Sequence, residues 1–270
     1  MQTEQSLLQL SDILVNGENC HREGMIDQAL EMYRQVAKMF EDLNDWGTAS
    51  YFYKKCLDIS MEQKSLRGEA QAWLGLGNCE KESFNKGEAM TNFETALQKA
   101  IEVQDQKLER EISKELVKVY QIIALEFQEH NNFDDALKFF EKCLTASRSS
   151  KNKDQEAECY QKMGHIHEKL GDTVKAIDLL NEFLKICEEA GYDDKRLEAH
   201  KELGEAHSKN GNVHAAIKHF EDLRKLAQEK KNRKAQADAF LKLGLLHYQD
   251  GLTRKSVEAL RRHFGLAKDD

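Results

Sequence analysis

Residues 157–176 read AECYQKMGHIHEKLGDTVKA, residues 197–216 read LEAHKELGEAHSKNGNVHAA, and residues 237–256 read ADAFLKLGLLHYQDGLTRKS. Each segment begins forty residues after the previous one and keeps the same classes of side chain in step. Glycine recurs at the eighth and fifteenth positions of every segment, and histidine recurs at the eleventh. Self-similarity at a period between about twenty and fifty residues is typical of stacked repeats, in which each unit buries its apolar side on its neighbours. The pattern therefore predicts a repeat protein.

The composition indicates that these repeats are helical. The 270 residues contain no proline, and a proline inside a helix costs about 3 kcal/mol. We expect an all-α fold, a right-handed α-solenoid of antiparallel helix pairs with mostly forty-residue repeats, in a single domain over residues 1–270. The expected units are 5–42, a half unit of one helix at 46–61, 65–103, 106–148, 153–189, 193–229 and 233–264.

The forty-residue step is broken once in the middle of the chain. From Ala89 to Ala136 the spacing is 47 residues, and the excess falls in IEVQDQKLEREISKELVKVY at 101–120. This segment is rich in charge and contains neither glycine nor proline. Seven extra residues are about two helical turns, so we predict a longer helix pair here and not a longer loop.

Charge and hydropathy exclude several classes of protein. A formal net charge of −8 argues against nucleic acid as the main partner, because phosphate binding requires a basic stripe. No apolar run approaches the roughly twenty residues that cross a bilayer. The first residues lack the basic leader and apolar core of a secretory signal, so we expect a cytoplasmic protein. Its six scattered cysteines are then expected to be reduced and packed.

The histidines raise the possibility of a metal site. His165 with His167, and His214 with His219, are the pairs that such a site would use. Side chains two apart on a helix diverge, however, and the histidine at the eleventh position of each segment occupies a packing position. No catalytic arrangement or phosphate-binding loop is found, and Gly75 and Gly77 lie in the middle of a predicted helix. We expect no enzymatic activity, no cofactor, no metal and no small-molecule substrate.

The side-chain pattern of the units resembles the tetratricopeptide repeat. In the unit at 65–103 the matching residues are Trp73, Leu76, Gly77, Ala89 and Phe93. Small residues let two helices approach closely, and aromatic residues fill the space to the next pair. The usual repeat has about 34 residues and a proline after its second helix. This chain departs from both features.

A more particular resemblance covers nearly the whole chain. The half unit beginning WGTASYFYKKCLDI, the unit beginning LRGEAQAWLGLGNCEKE, the 47-residue step and the later units resemble, in this order, the axonemal tetratricopeptide repeat protein 29 family. The resemblance implies a scaffold of the ciliary or flagellar axoneme, associated with dynein-driven motility. Its partners would be dynein-arm or microtubule-associated proteins. The alternative is a generic cytosolic adaptor that captures a peptide or helix of a partner in its concave groove.

The first helix of each unit is expected to line that groove, where such solenoids usually bind. The surface is mostly polar and becomes apolar in the last unit. Only Asn78 matches the clamp that chaperone-binding repeats use, which disfavours that class. The candidate partner-binding residues are Asn78, Lys118, Gln121, His165, Lys201, Glu205, Leu241, Leu245 and Tyr248.

Two surface features have alternative interpretations. The apolar strip formed by Leu241, Leu245 and Tyr248 is covered either by the chain's own last helix, around Leu260 and Phe264, or by an amphipathic helix of a partner. The second feature is a basic cluster, which is either a solvated turn or a site for an acidic partner such as a tubulin surface. The cluster comprises Arg224, Lys225, Lys230, Lys231, Arg233 and Lys234.

Overall fold

The computed structural model describes the backbone of residues 2–267 and the side chains of residues 8–266. Residues 1 and 268–270 of the predicted domain lie outside this range. The described chain forms thirteen α-helices and no strand, which confirms the all-α fold class. The helices are α1 Gln2–Arg22, α2 Ile26–Asp42, α3 Trp46–Glu62, α4 Leu66–Glu82, α5 Lys86–Glu102, α6 Gln106–Glu129, α7 Phe133–Ser149, α8 Lys153–Lys169, α9 Thr173–Ala190, α10 Asp193–Lys209, α11 Val213–Glu229, α12 Arg233–Gln249 and α13 Thr253–Ala267.

The helices follow one another at a nearly constant interval. Nine of the thirteen are 17 residues long, and turns of two or three residues separate them. Forty residues therefore correspond to two helices and two turns. The longest helix is α6, which has 24 residues, seven more than the usual 17. The predicted longer helix at the 47-residue step is confirmed.

A left-handed residue makes these short turns possible. Each of the twelve turns between described helices contains one residue with φ between 54° and 80°, and seven of these residues are not glycine. The left-handed conformation ends one helix, and the following polar residue often caps the next. In the turn after α2, Asn44 has φ 57° and the Asp45 carboxylate accepts from the Thr48 amide at 3.1 Å. Gly191 has φ 71° and caps the end of α9.

The helices pack into two compact units. One comprises α1 to α6 with residues 145–152, and the other comprises residues 131–144 with α8 to α13. Within each unit, helices adjacent in sequence pack on each other. Because α3 packs on both α2 and α4, its role as an unpaired half unit stays a prediction, as does the single domain.

The repeated glycine of each pair lies where two helices approach closely. A Cβ atom built on Gly204 would lie 2.7 Å from the Phe220 ring, and one on Gly77 would lie 2.5 Å from the Phe93 ring. Phe93 and Phe220 are among the most deeply buried residues of the described chain. The absence of a side chain at these glycines lets two helices approach closely, as the repeat pattern predicted. The aromatic ring fills the crossing within the pair, whereas the pattern was expected to place it against the next pair.

The six cysteines are all buried. Burial raises the pKa of the Cys56 and Cys79 thiols to about 12 and that of Cys187 to about 11. A thiol with a raised pKa and little exposure is a poor nucleophile. Among the described helices, none is long and apolar enough to cross a membrane.

Candidate partner-binding surface

In the second unit, α10 and α12 form two adjacent recesses. The first has an apolar floor of Leu197 and Leu223, and Lys201, Lys234 and Asp238 lie among the residues at its edge. The second has a volume of about 290 Å³. It is lined by Glu205, Ser208, Lys209, Phe220, Lys242, Leu245, Leu246 and Gln249. The surface formed by both recesses is called the α10–α12 surface below.

Ion pairs between first helices of successive repeats cross this face of the unit. His165 Nε2 lies 2.9 Å from Glu202 Oε1, and Lys242 Nζ lies 2.8 Å from Glu205 Oε1. Each pair joins residues 37 apart in sequence. The predicted partner residues His165 and Glu205 therefore have internal partners. Pairs that are this exposed contribute about 0 to 1 kcal/mol each, so their main effect is to fix side-chain positions.

Glu202 also changes the titration of His165. Its hydrogen bond and negative charge raise the pKa of the imidazole above 6.5, against the opposing effect of burial. The carboxylate accepts a second hydrogen bond from Gln161 Nε2 at 2.9 Å. Glu202 thus links two positions of α8 to α10.

The remaining predicted residues of this unit are accessible. Lys201 is exposed, and among residues 8–266 the structure gives it no ion-pair partner. Leu241 is half-buried, whereas Leu245 is 50% and Tyr248 is 71% exposed. The three residues of the apolar strip stand at one edge of the α10–α12 surface.

The last helix does not cover this strip. Leu260 of α13 approaches Gly244, with its Cγ and Cδ2 atoms 2.8 Å from the position of a Cβ atom. Phe264 is 63% exposed. The interpretation in which Leu260 and Phe264 fold onto the strip is therefore wrong. Leu260 packs at Gly244 instead, which leaves Leu245 and Tyr248 exposed.

The other three predicted residues belong to the first unit. Asn78 is half-buried in a recess that α2, α4 and α6 line together. Lys118 is exposed, and its Nζ atom lies 2.7 Å from the Glu115 carboxylate, which also binds Lys81 at 2.7 Å. Gln121 is half-buried. A single surface containing all nine predicted residues stays a prediction.

Helix α2 also lines this recess, and none of its residues was among the predicted partner-binding residues. Arg34 Nη1 donates a hydrogen bond to Gln71 Oε1 at 2.5 Å, and the Tyr53 hydroxyl donates to Glu41 at 3.0 Å. Burial raises the pKa of Glu41. The signal was available, because Arg34 lies forty residues before Leu74, which lines the same recess.

Three histidines of α10 and α11 form a cluster. His200 Nδ1 lies 3.3 Å from His219 Nδ1, and the His207 and His219 rings stack with centroids 5.4 Å apart. Burial lowers the pKa of all three, that of His219 to about 4. In the described part of the chain, no group of three or more histidine, cysteine or acidic residues is arranged to hold a metal ion. The cluster is neutral at pH 7 and packs as aromatic rings do.

Comparison with known proteins agrees with the repeat architecture. Sequence models of the tetratricopeptide repeat match residues 116–189 and 201–269. Tetratricopeptide repeat protein 29 of Trypanosoma brucei brucei is 24% identical over 187 residues, which are 69% of this chain and 39% of that protein. The chain thus spans about two fifths of the length of this relative.

Solved structures share the fold at low sequence identity. The C-terminal part of a TPR repeat-containing protein from Cytophaga hutchinsonii has a TM-score of 0.55 at 12% identity, with 95% of this chain and 96% of that chain covered. BtubC from P. vanneervenii has a TM-score of 0.51 at 15% identity, with 89% and 92% covered. The two matched segments together span more than half of the sequence. Together with the helix hairpins and the glycine crossings, they show that the chain belongs to the tetratricopeptide repeat family.

Proposed function

We propose that this protein is a non-enzymatic scaffold of the ciliary or flagellar axoneme, associated with dynein-driven motility. Tetratricopeptide repeats form a fold that binds other proteins, and both of the family models reported above describe this repeat. The similarity to tetratricopeptide repeat protein 29 supports the axonemal setting. The partners would then be dynein-arm or microtubule-associated proteins, and the protein would reside in the cytoplasm and in the axonemal cytoskeleton.

The exposed apolar strip is the observation that carries the binding part of this proposal. Leu241, Leu245 and Tyr248 are spaced i, i+4 and i+7, so they lie along one side of α12. An amphipathic helix of a partner presents its own apolar residues at the same spacing. Full burial of a leucine contributes about 1.5 to 3 kcal/mol before the costs of association. With Leu245 half exposed, this residue is the strongest candidate anchor.

A generic cytosolic adaptor is the alternative, and one feature favours it. Two recesses of the second unit lie between α10 and α12, and Lys201 in the first and Leu245 in the second are both exposed. Such concentration on one surface fits capture of a single peptide.

Localisation separates the two functions. The tagged protein should remain with the axonemes of a flagellated cell after detergent extraction, and purified protein should co-sediment with extracted axonemes. Exclusive recovery in the soluble fraction, together with an absence of co-sedimentation, would favour the cytosolic adaptor.

The strip itself is tested by Leu245→Asp, with Val174→Asp as the matched control. Val174 is 62% exposed on α9 and lies outside both recesses. We expect Leu245→Asp to lose co-sedimentation and Val174→Asp to retain it, with equal melting temperatures. Equal binding by both variants would remove the strip from the proposed site.

A further inference from the structure

The charge of the chain is distributed unevenly. Between residues 224 and 262 there are eleven lysines and arginines but only four aspartates and glutamates, whereas the whole chain has a formal net charge of −8. These residues span the end of α11, the turn after it, α12 and most of α13. The positive charge therefore belongs to the last helices of the second unit.

An aromatic ring holds two of these cations near each other. Phe240 of α12 is 8% exposed. The Cζ atoms of Arg224 on α11 and Arg262 on α13 each lie 5.8 Å from the centroid of this ring. The two guanidinium carbons are thus within about 12 Å of each other. Guanidinium groups are attracted to the face of an aromatic ring, which restrains both side chains.

Nearby acids neutralise this site only in part. Arg262 pairs with Glu258 at 3.2 Å, but the two side chains are 60% and 66% exposed. Arg224 donates to the neutral Gln228 side chain at 3.4 Å. The acids Asp222 and Glu221 lie on α11 as well, and Asp222 pairs with Lys225 at 3.4 Å.

Further cations on α13 are exposed beside this site. In the part of the chain with described side chains, the structure gives Arg254, Lys255 and Arg261 no ion-pair partner. Val257 and Phe264 of the same helix are 44% and 63% exposed. The surface thus combines accessible positive charge with apolar side chains.

We propose that Arg224 and Arg262, held by Phe240, form a docking site for an acidic segment of a partner protein. The planar guanidinium group binds a carboxylate through two parallel hydrogen bonds. Two restrained guanidinium groups therefore suit two carboxylates on one segment. Arg224 lies on α11 and Arg262 lies on α13, each the second helix of its pair. The site does not rest on the axonemal proposal or on the apolar strip.

The charge pattern favours a protein segment over nucleic acid. A duplex carries one negative charge for about every 1.7 Å of its axis and extends beyond a local patch. Outside the basic region the chain is acidic, and charges within a Debye length of about 8 to 10 Å repel a long polyanion. A short acidic segment meets only the arginine site. The same argument disfavours an extended anionic membrane surface.

Fluorescence anisotropy with a short, labelled polyglutamate peptide tests the proposal on the full chain. A polyglutamine peptide of equal length controls for peptide backbone binding. Single-stranded oligonucleotide and phosphatidylserine vesicles represent the other two polyanions. We expect saturable binding of the acidic peptide only.

The decisive variant is Arg224→Gln with Arg262→Gln, matched by Arg254→Gln with Lys255→Gln. Both remove two positive charges, but only the first removes the pair at Phe240. We expect the first variant to weaken peptide binding at least about tenfold, since the loss of even one hydrogen bond between charged groups lowers affinity by about that factor. The second should weaken binding less than about threefold through the loss of long-range charge alone.

Two results would overturn the site. Equal losses in the two variants would mean that the peptide responds to net charge and not to the arginine pair. Stronger binding of the oligonucleotide or the vesicles than of the peptide would assign the surface to a different class of partner. Melting curves that match the parent chain confirm that either double variant is folded.

Discussion

Substitution of Gly204 tests whether the repeated glycine is required by a close helix crossing. In Gly204→Ala the new Cβ atom would lie 2.7 Å from the Cε2 and Cζ atoms of Phe220, a ring that is 1% exposed. A contact this short requires the Phe220 ring to shift. Alanine favours a helix over glycine by about 1 kcal/mol, whereas overpacking costs about 1 to 3 kcal/mol. We expect a net loss of up to about 2 kcal/mol in the free energy of unfolding.

Two other glycines provide matched controls in the same protein. At Gly164 the nearest atoms to a new Cβ are Leu180 Cγ and Cδ2 at 3.1 Å, and this leucine can shift slightly. At Gly87 nothing lies within 4 Å. We expect Gly164→Ala to be nearly neutral and Gly87→Ala to stabilise by up to about 1 kcal/mol. The order of stability should be Gly87→Ala, then Gly164→Ala, then Gly204→Ala.

Thermal unfolding followed by circular dichroism at the helical band measures this order. For a chain of this size, about 1 kcal/mol shifts the melting temperature by roughly 2 to 4 °C. Because repeat arrays can unfold in stages, the transition midpoints of all three variants are compared under one set of conditions. If Gly204→Ala raised the midpoint as much as Gly87→Ala, the glycine would not be needed for packing on Phe220, and the argument from the crossing would fail.

Three further predictions concern titration and reactivity. Burial holds the His219 pKa at about 4. As the pH falls from 6.5 toward 4, the unfolded chain therefore binds a proton that the folded chain does not, so acid lowers the free energy of unfolding. The urea midpoints at pH 7.5 and pH 5 should differ less in His219→Gln than in His214→Gln, which replaces an exposed histidine as the control. Glu202 raises the His165 pKa. The pair therefore stabilises the folded chain fully below pH 6.5, and this stabilisation is lost as the pH rises through the raised pKa. An NMR titration of Glu202→Gln should show a lower His165 pKa. Cys56 should resist a thiol-specific chromogenic reagent in buffer and react in urea, because its thiol is buried and has a pKa of about 12; rapid reaction of the folded protein would contradict this.

The recurrence of small residues made the helices predictable from the sequence. Gly204 recurs at a fixed step because only glycine fits beside Phe220. The excess of seven residues could be assigned to a helix because its segment has charge and helix propensity without a breaker, and α6 has 24 residues. Most turns were harder to place. Phe84 adopts φ 61° in the turn after α4 without a glycine to mark it.

The candidate site was predictable only as a set of positions. Counting from the glycines placed Leu245 on an outward face of its helix, and the side chain is 50% exposed; its role in partner binding stays a prediction. It could not show that Glu205 binds Lys242 across the repeat at 2.8 Å, because that contact depends on how adjacent pairs stack. Helical phase also could not decide which helix is unpaired. With 17 residues in both α2 and α3, helix length does not distinguish a first helix from a second.

The two proposed surfaces share α12 but lie on different sides of it. Phe240 and Leu245 are five residues apart, so at 3.6 residues per turn their side chains diverge by about 140°. The separation explains why Phe240 packs against arginines of α11 and α13, while Leu245 lines the recess with residues of α10. A partner helix on the strip and an acidic segment at the arginine pair would therefore not compete for the same atoms. Simultaneous occupation of the two sides is what a scaffold requires, whereas an adaptor that captures one peptide needs only the recess.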